Sequence, residues 1–126
     1  MRIEQQIQIA IVQDIRYRYP NVLFTISPAG MINNPRIGAI TKKMGYRAGT
    51  SDMLFFEPRG IWHGLMIELK IPAALGTSKV SPEQKKWQID ALERGYKAVI
   101  CYGHDETMLV LKEYLAEKTD KSECTL

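Results

Sequence analysis

A mixed β-sheet sandwiched between helices, an α/β domain, is what the hydrophobic patterning of this chain predicts. Apolar residues at helical spacing alternate along it with short β-rich runs, and proline or glycine stands at the joints. In the middle, two apolar runs flank Pro58-Arg59-Gly60, the pattern of a β-hairpin. At 126 residues, 45% hydrophobic and 25% charged, the chain suits a single domain over 1–126 with one core.

Each element has its own signal. Ile3, Ile7, Ala10, Ile11 and Ile15 recur every three or four residues, so Ile3 to about Arg18 reads as an amphipathic helix that Pro20 ends. Val22 to Ser27 reads as a strand broken by Pro28-Ala29-Gly30. Asn34 with Pro35 opens a short basic helix that runs through Lys42, Lys43 and Met44 to Gly45. Asp52 to Glu57 and Trp62 to Lys70 form the hairpin arms, apolar on both faces as central strands are. Ser81-Pro82-Glu83-Gln84 has the spacing of a capping box, and its helix runs to Arg94 before Gly95. Lys97 to Tyr102 is a further strand. Asp105 then caps a last helix carrying Met108, Leu111, Tyr114 and Leu115 on one stripe, and 119–126 reads as a frayed polar tail.

Composition narrows the function classes. The longest apolar runs fall far short of the roughly 20 residues of a membrane-spanning helix. Arg2, Glu4, Gln5, Gln6 and Gln8 interrupt any signal-peptide core, so a cytoplasmic location is expected, with no membrane partner. Cys101 and Cys124 are isolated and read as reduced thiols. The net charge of +3 is compatible with a polyanionic partner but common among proteins without one.

The residues that can carry chemistry sit in the hairpin. If its partners sum to about 120, Asp52 lies opposite Glu68, and Lys70 shares the Glu68 face. Two carboxylates at the end of an apolar hairpin repel each other and resist desolvation, and a divalent cation relieves both. Oxygen ligands suit Mg²⁺, so Asp52, Glu68 and the Leu69 backbone carbonyl are candidate metal ligands, with Lys70 placed to hold the attacking water or stabilise charge on a phosphate. A Glu-x-Lys triplet alone arises by chance in roughly half of chains this long. Its place at the end of an apolar strand, across from an Asp, is what favours catalysis over a solvated strand end.

Glu4 and Gln8 flank the first helical stripe and could look toward the carboxylates, although from these residues alone a solvated helix flank is the better explanation. Gln84 completes the Ser81 cap and can also face the site. Arg36, Lys42, Lys43 and Arg47 form a basic cluster ahead of Asp52, suited to backbone phosphates and extended by Lys79, Lys85 and Lys86. His63, Cys101 and His104 do not assemble a convincing four-ligand zinc site. Neither a P-loop nor a G-x-S-x-G elbow occurs.

Taken in order, Arg2 to Gln8, Met44 to Leu54, His63 to Lys70 and Ser81 to Gln84 resemble the VRR-NUC domain, a branch of the PD-(D/E)XK nuclease superfamily. The resemblance covers nearly the whole chain. It implies a restriction-endonuclease-like core and Mg²⁺- or Mn²⁺-dependent DNA cleavage centred on Asp52, Glu68 and Lys70, and it adds Glu4 and Gln84 to the catalytic candidates. It also implies a homodimer acting on branched DNA such as four-way (Holliday) junctions, as in stand-alone phage and bacterial members. Longer relatives carry the domain in DNA-repair enzymes. A non-catalytic DNA-binding module, or a nuclease acting on linear DNA or RNA, is the alternative. Two departures stand out: Ser51 occupies a position where the superfamily commonly has Pro, and segment 71–80 is long and apolar, as in a flap or a dimer contact.

Overall fold

The computed structural model describes residues 1–76 and 78–119. Its elements follow the expected order: α1 (Ile3–Arg18), β1 (Phe24–Ile26), α2 (Pro35–Lys43), β2 (Met53–Phe55), β3 (Gly64–Lys70), α3 (Pro82–Glu93), β4 (Tyr96–Tyr102) and α4 (Gly103–Ala116). Short 3-10 turns at Pro28–Met31 and Ala73–Leu75 are the additions. The four strands form one sheet in the order β1-β2-β3-β4. β1 to β3 are antiparallel neighbours and β4 joins β3 in parallel, so the sheet is mixed and flanked by helices.

Local chemistry explains most boundaries. Ser81 Oγ accepts the Gln84 N–H at 3.1 Å while Gln84 Oε1 accepts the Ser81 N–H at 3.0 Å, a reciprocal cap with Pro82 at the first helical position. Asn34 Oδ1 accepts from Arg36 N at the start of α2. The hairpin pairs Met53 with Ile67, Leu54 with Met66 and Phe55 with Leu65, the expected register. Burial locks it: Met53, Phe55, Leu65, Ile67 and Leu69 alternate onto one face and pack with Cys101 against Ile11 and Ile15 of α1 and Leu111 and Tyr114 of α4. Each such side chain gains about 1.5–3 kcal/mol from burial, and a one-residue slip would turn the whole β3 set outward. The same alternation sends Glu68 and Lys70 to the opposite face, toward α3.

Two expectations need correction. Asp105 does not cap the last helix. Gly103 adopts φ +86, a left-handed value, and the chain turns from β4 into α4 at once, leaving Tyr102 at the cap and Asp105 in the first turn. The first strand is also shorter than Val22 to Ser27, because only Phe24–Ile26 finds ladder partners on β2. Of the expected tail, Thr119 pairs with Gly60 in an isolated bridge, and 120–126 lie outside the described residues, Cys124 among them. Cys101 is buried, and burial pushes its thiol up to about 11, so it stays protonated at neutral pH. Among the described residues no helix is long and apolar enough to cross a membrane.

Candidate active site

Asp52 stands one residue before β2, one step beyond the last formal hairpin pair, and the register carries it opposite Glu68. Its backbone carbonyl accepts the Ser27 N–H at 2.8 Å, and its Oδ2 accepts the Leu69 N–H at 2.7 Å. The Asp52 side chain therefore binds the backbone between Glu68 and Lys70 and ties the two strand ends together. The Leu69 side chain points into the core.

Glu68 and Lys70 are buried, at 3% and 7% exposure, on the face that α3 covers. Gln84 joins them. Its Nε2 donates to Glu68 Oε1 at 2.7 Å, and its Oε1 accepts from Lys70 Nζ at 3.0 Å as well as from the Ser81 N–H. Lysine and the backbone N–H can only donate and a carboxylate only accept, so these neighbours dictate which end of the amide faces which. One side chain thus completes the helix cap and orients an acid and a base partner. Lys70 Nζ also donates to the Lys79 carbonyl at 3.0 Å and lies 3.6 Å from Glu68 Oε1. Lys79, two residues before the Ser81 cap, thus reaches the site through its backbone.

Burial suppresses the ionisation of all three acids, and the Asp52 charge adds to it at Glu68 and Glu4. Burial, reinforced by the charge of Asp52, pushes the Glu68 carboxyl up to about 8 despite the opposing Lys70 cation. Asp52 is raised chiefly by burial, against the Leu69 hydrogen bond. Glu4 is raised by burial and then by Asp52, with Lys70 and Arg2 acting the other way. Glu4 thus feels the cluster electrostatically from the start of α1. Glu68 Oε2 is buried without a hydrogen-bond partner.

Oxygen donors, an unpartnered buried carboxylate oxygen and mutually repelling acids fit a hard divalent cation such as Mg²⁺ or Mn²⁺. Among the described residues no three His, Cys, Asp or Glu side chains group closely enough to hold a metal by themselves. A cation bound here would draw on the Asp52 and Glu68 carboxylates plus backbone oxygen, with Glu4 adding charge.

The basic residues are only partly gathered. Arg47 Nη2 pairs with Asp90 Oδ2 at 2.5 Å, and its guanidinium lies 5.4 Å from the centroid of the Trp87 ring. Lys86 Nζ reaches the same carboxylate at 3.3 Å. The Arg47 hydrogen bond, followed by the Lys86 contact, holds the exposed Asp90 carboxyl below its ordinary range. Arg47 therefore acts as a latch onto α3, where Lys86 shares its carboxylate partner, and Asp90 is a residue that sequence reasoning missed. Its i,i+4 spacing from Lys86 was a readable hint, whereas its contact with Arg47 spans the fold. Gly49 tightens the latch: at φ +88, a Cβ there would lie 2.3 Å from the Glu83 carbonyl oxygen, so only glycine fits against the first turn of α3. Arg36, Lys42 and Lys43 are exposed on α2, Lys85 is exposed on α3, and Lys79 offers its carbonyl to Lys70 while its side chain is exposed.

The other polar candidates lie apart. His63 packs against Tyr96 and Gly95 beside the start of β3, Cys101 sits in the core, and His104 bridges Asp14 and Asp105. Gln8 lines a cleft that also contains Glu4 and Asp52.

The mixed sheet, with an Asp, a Glu-Leu-Lys segment and a glutamine of the following helix meeting at one end, is a fold of the restriction-endonuclease-like class. The VRR-NUC domain model matches residues 3–105, and the chain belongs to that family. A solved structure described as a VRR_NUC domain protein superposes with a TM-score of 0.76 at 26% identity, covering 94% of this chain and 93% of the other. A comparison with curated protein sequences returned no significant match.

Proposed function

We propose that this protein is a metal-dependent endonuclease that hydrolyses phosphodiester bonds in branched DNA, four-way junctions included, and works as a homodimer. The observation that carries the catalytic reading is the half-buried Asp52 set opposite the buried Glu68, with Glu68 Oε2 unpartnered and the Lys70 ammonium held beside it by Gln84. Membership of the VRR-NUC family supports nuclease chemistry. The choice of branched DNA and the homodimer rest on the resemblance to stand-alone members.

Asp52, Glu68 and the Leu69 carbonyl would hold Mg²⁺ or Mn²⁺, which when bound supplies Lewis acidity toward the phosphate and acidifies water. Asp52 keeps one oxygen on the Leu69 N–H, so its orientation is set before any ligand arrives. Gln84 fixes Glu68 Oε1 and leaves Oε2 to face the site. Lys70, tethered by two acceptors, presents its remaining proton to the attacking water or to a phosphate oxygen. Its charge also offsets part of the repulsion between the acids.

The decisive experiment incubates purified protein with four-way, flap and linear DNA in Mg²⁺, Mn²⁺ or chelator and maps the cuts. Paired symmetric cuts across the junction, lost in chelator and in Asp52→Ala, are expected. Equal cleavage of linear duplex would sink the structural selectivity. Salt-sensitive binding without turnover in any metal would instead identify a binding module.

A further inference from the structure

β1 and β2 are neighbouring antiparallel strands, yet the chain between them is no tight turn. Residues Pro28 to Ser51, 24 in all, leave the sheet and return to it at the Ser27 N–H to Asp52 carbonyl hydrogen bond. The excursion therefore has its stem at a proposed catalytic carboxylate. Its entry is pinned by Arg2, which donates to the Gly30 carbonyl, and its exit by Gly49 and Arg47 against α3.

Between these anchors, α2 packs extensively on no other described helix or strand, and it buries no residue. Ile37, Ile40 and Met44, spaced to share one face, remain 52%, 50% and 82% exposed. Chance exposure of one such residue would be ordinary, but three on one helical face call for a covering partner.

Charge identifies that partner. The excursion contains Arg36, Lys42, Lys43 and Arg47 and no Asp or Glu. It carries +4 against +3 for the whole chain, which leaves −1 for everything else. Arg47 is occupied by Asp90, and at 3.6 residues per turn Arg36 and Lys43 border the apolar face while Lys42 lies across the helix from it. Lys42 and Lys43 at the end of α2 suit its dipole, but Arg36 in the first turn opposes it, and helix electrostatics leaves that residue unexplained. A second copy of this face would bring like charges together. A polyanion with exposed apolar faces satisfies both features.

We propose that α2 is a DNA wedge: Ile37, Ile40 and Met44 insert where base stacking is interrupted, and Arg36 and Lys43 hold the flanking phosphates. Apolar side chains enter DNA readily where a base step is already unstacked, because that cost has been met. The inference rests on the nuclease reading and deepens it, since the wedge would deliver a branch point to the end of the sheet where Asp52 stands.

The test measures binding in chelator, so it does not depend on cleavage. The probes are a four-way junction carrying 2-aminopurine at the branch and a linear duplex of equal length. Wild-type protein is expected to raise the 2-aminopurine fluorescence. Ile40→Ser/Met44→Ser should abolish that rise and weaken junction binding about tenfold more than duplex binding. Arg36→Ala/Lys43→Ala should weaken binding to both probes and reduce the salt slope by about 2. Unchanged fluorescence with wild type, no binding of either DNA, or equal losses on both probes from the apolar variant would overturn the wedge. So would a dimer-to-monomer shift of that variant in sedimentation velocity, which would assign the face to a second copy. The nuclease reading fails on a separate result, the absence of cleavage by wild type in any metal.

Discussion

Gln84 Nε2 donates to Glu68 Oε1 at 2.7 Å, and this contact joins the N-terminus of α3 to the carboxylate at the end of β3. A residue whose spacing marks it as a helix cap is also the device that aims a buried acid.

Gln84→Ala should therefore lose both functions. Loss of its half of the cap and of buried hydrogen bonds is expected to cost about 1–3 kcal/mol in denaturant unfolding. Cleavage should fall about 10–100-fold, the usual consequence of losing a group that orients a ligand. Gln84→Glu restores an acceptor for Ser81 and Lys70 but cannot donate to Glu68 when ionised. It should keep the Ser81 cap but, by setting a third carboxylate against Glu68, recover neither full stability nor rate.

Asp52 separates structure from chemistry. Asp52→Asn keeps an oxygen for the Leu69 N–H and removes a repelling charge, so folding stability should be unchanged or higher while cleavage disappears. Asp52→Ala should abolish cleavage too and also destabilise by about 1–3 kcal/mol, because a partly buried N–H loses its acceptor. Equal melting temperatures for the two variants would show that the Leu69 contact is energetically idle.

The metal-free protein should lose stability as pH rises. The unfolded chain releases the Glu68 proton at its ordinary value of 4.5, whereas the folded protein retains it to about 8. The stabilising difference is complete below the ordinary carboxylate range and is lost as pH climbs toward about 8. Asp52 and Glu4, also raised, add to the same slope. Glu68→Gln should flatten it in thermal unfolding with chelator. Because a divalent ion competes with these protons, stabilisation by Mn²⁺ should grow with pH in wild type and be absent in that variant.

Gly49→Ala tests the latch. A methyl 2.3 Å from the Glu83 carbonyl oxygen, on a backbone at φ +88, forces the loop off α3. A loss of about 2–4 kcal/mol is expected, with cleavage reduced in the folded fraction because the displaced loop carries Asp52. An unperturbed melting temperature would show that the loop is free to shift.

Local signals were legible because they act within a few residues. The stripe from Ile3 to Ile15, the Ser81–Gln84 box and the hairpin sum of 120 needed only periodicity, capping chemistry and loop length. From these the sequence by itself determined the α/β order and the meeting of Asp52 with Glu68 and Lys70 at one strand end. It also showed Gln84 as a cap but could not show its grip on Glu68, which depends on how α3 lies over the sheet. Arg47 read as a phosphate ligand, yet packing turned it to Asp90 and Trp87, two residues remote in sequence. Asp105 read as a cap until the backbone at Gly103 started the helix earlier. The stem of the α2 excursion at Asp52 and the parallel pairing of β3 with β4 were decided only by tertiary structure, because both join segments that no short-range pattern connects.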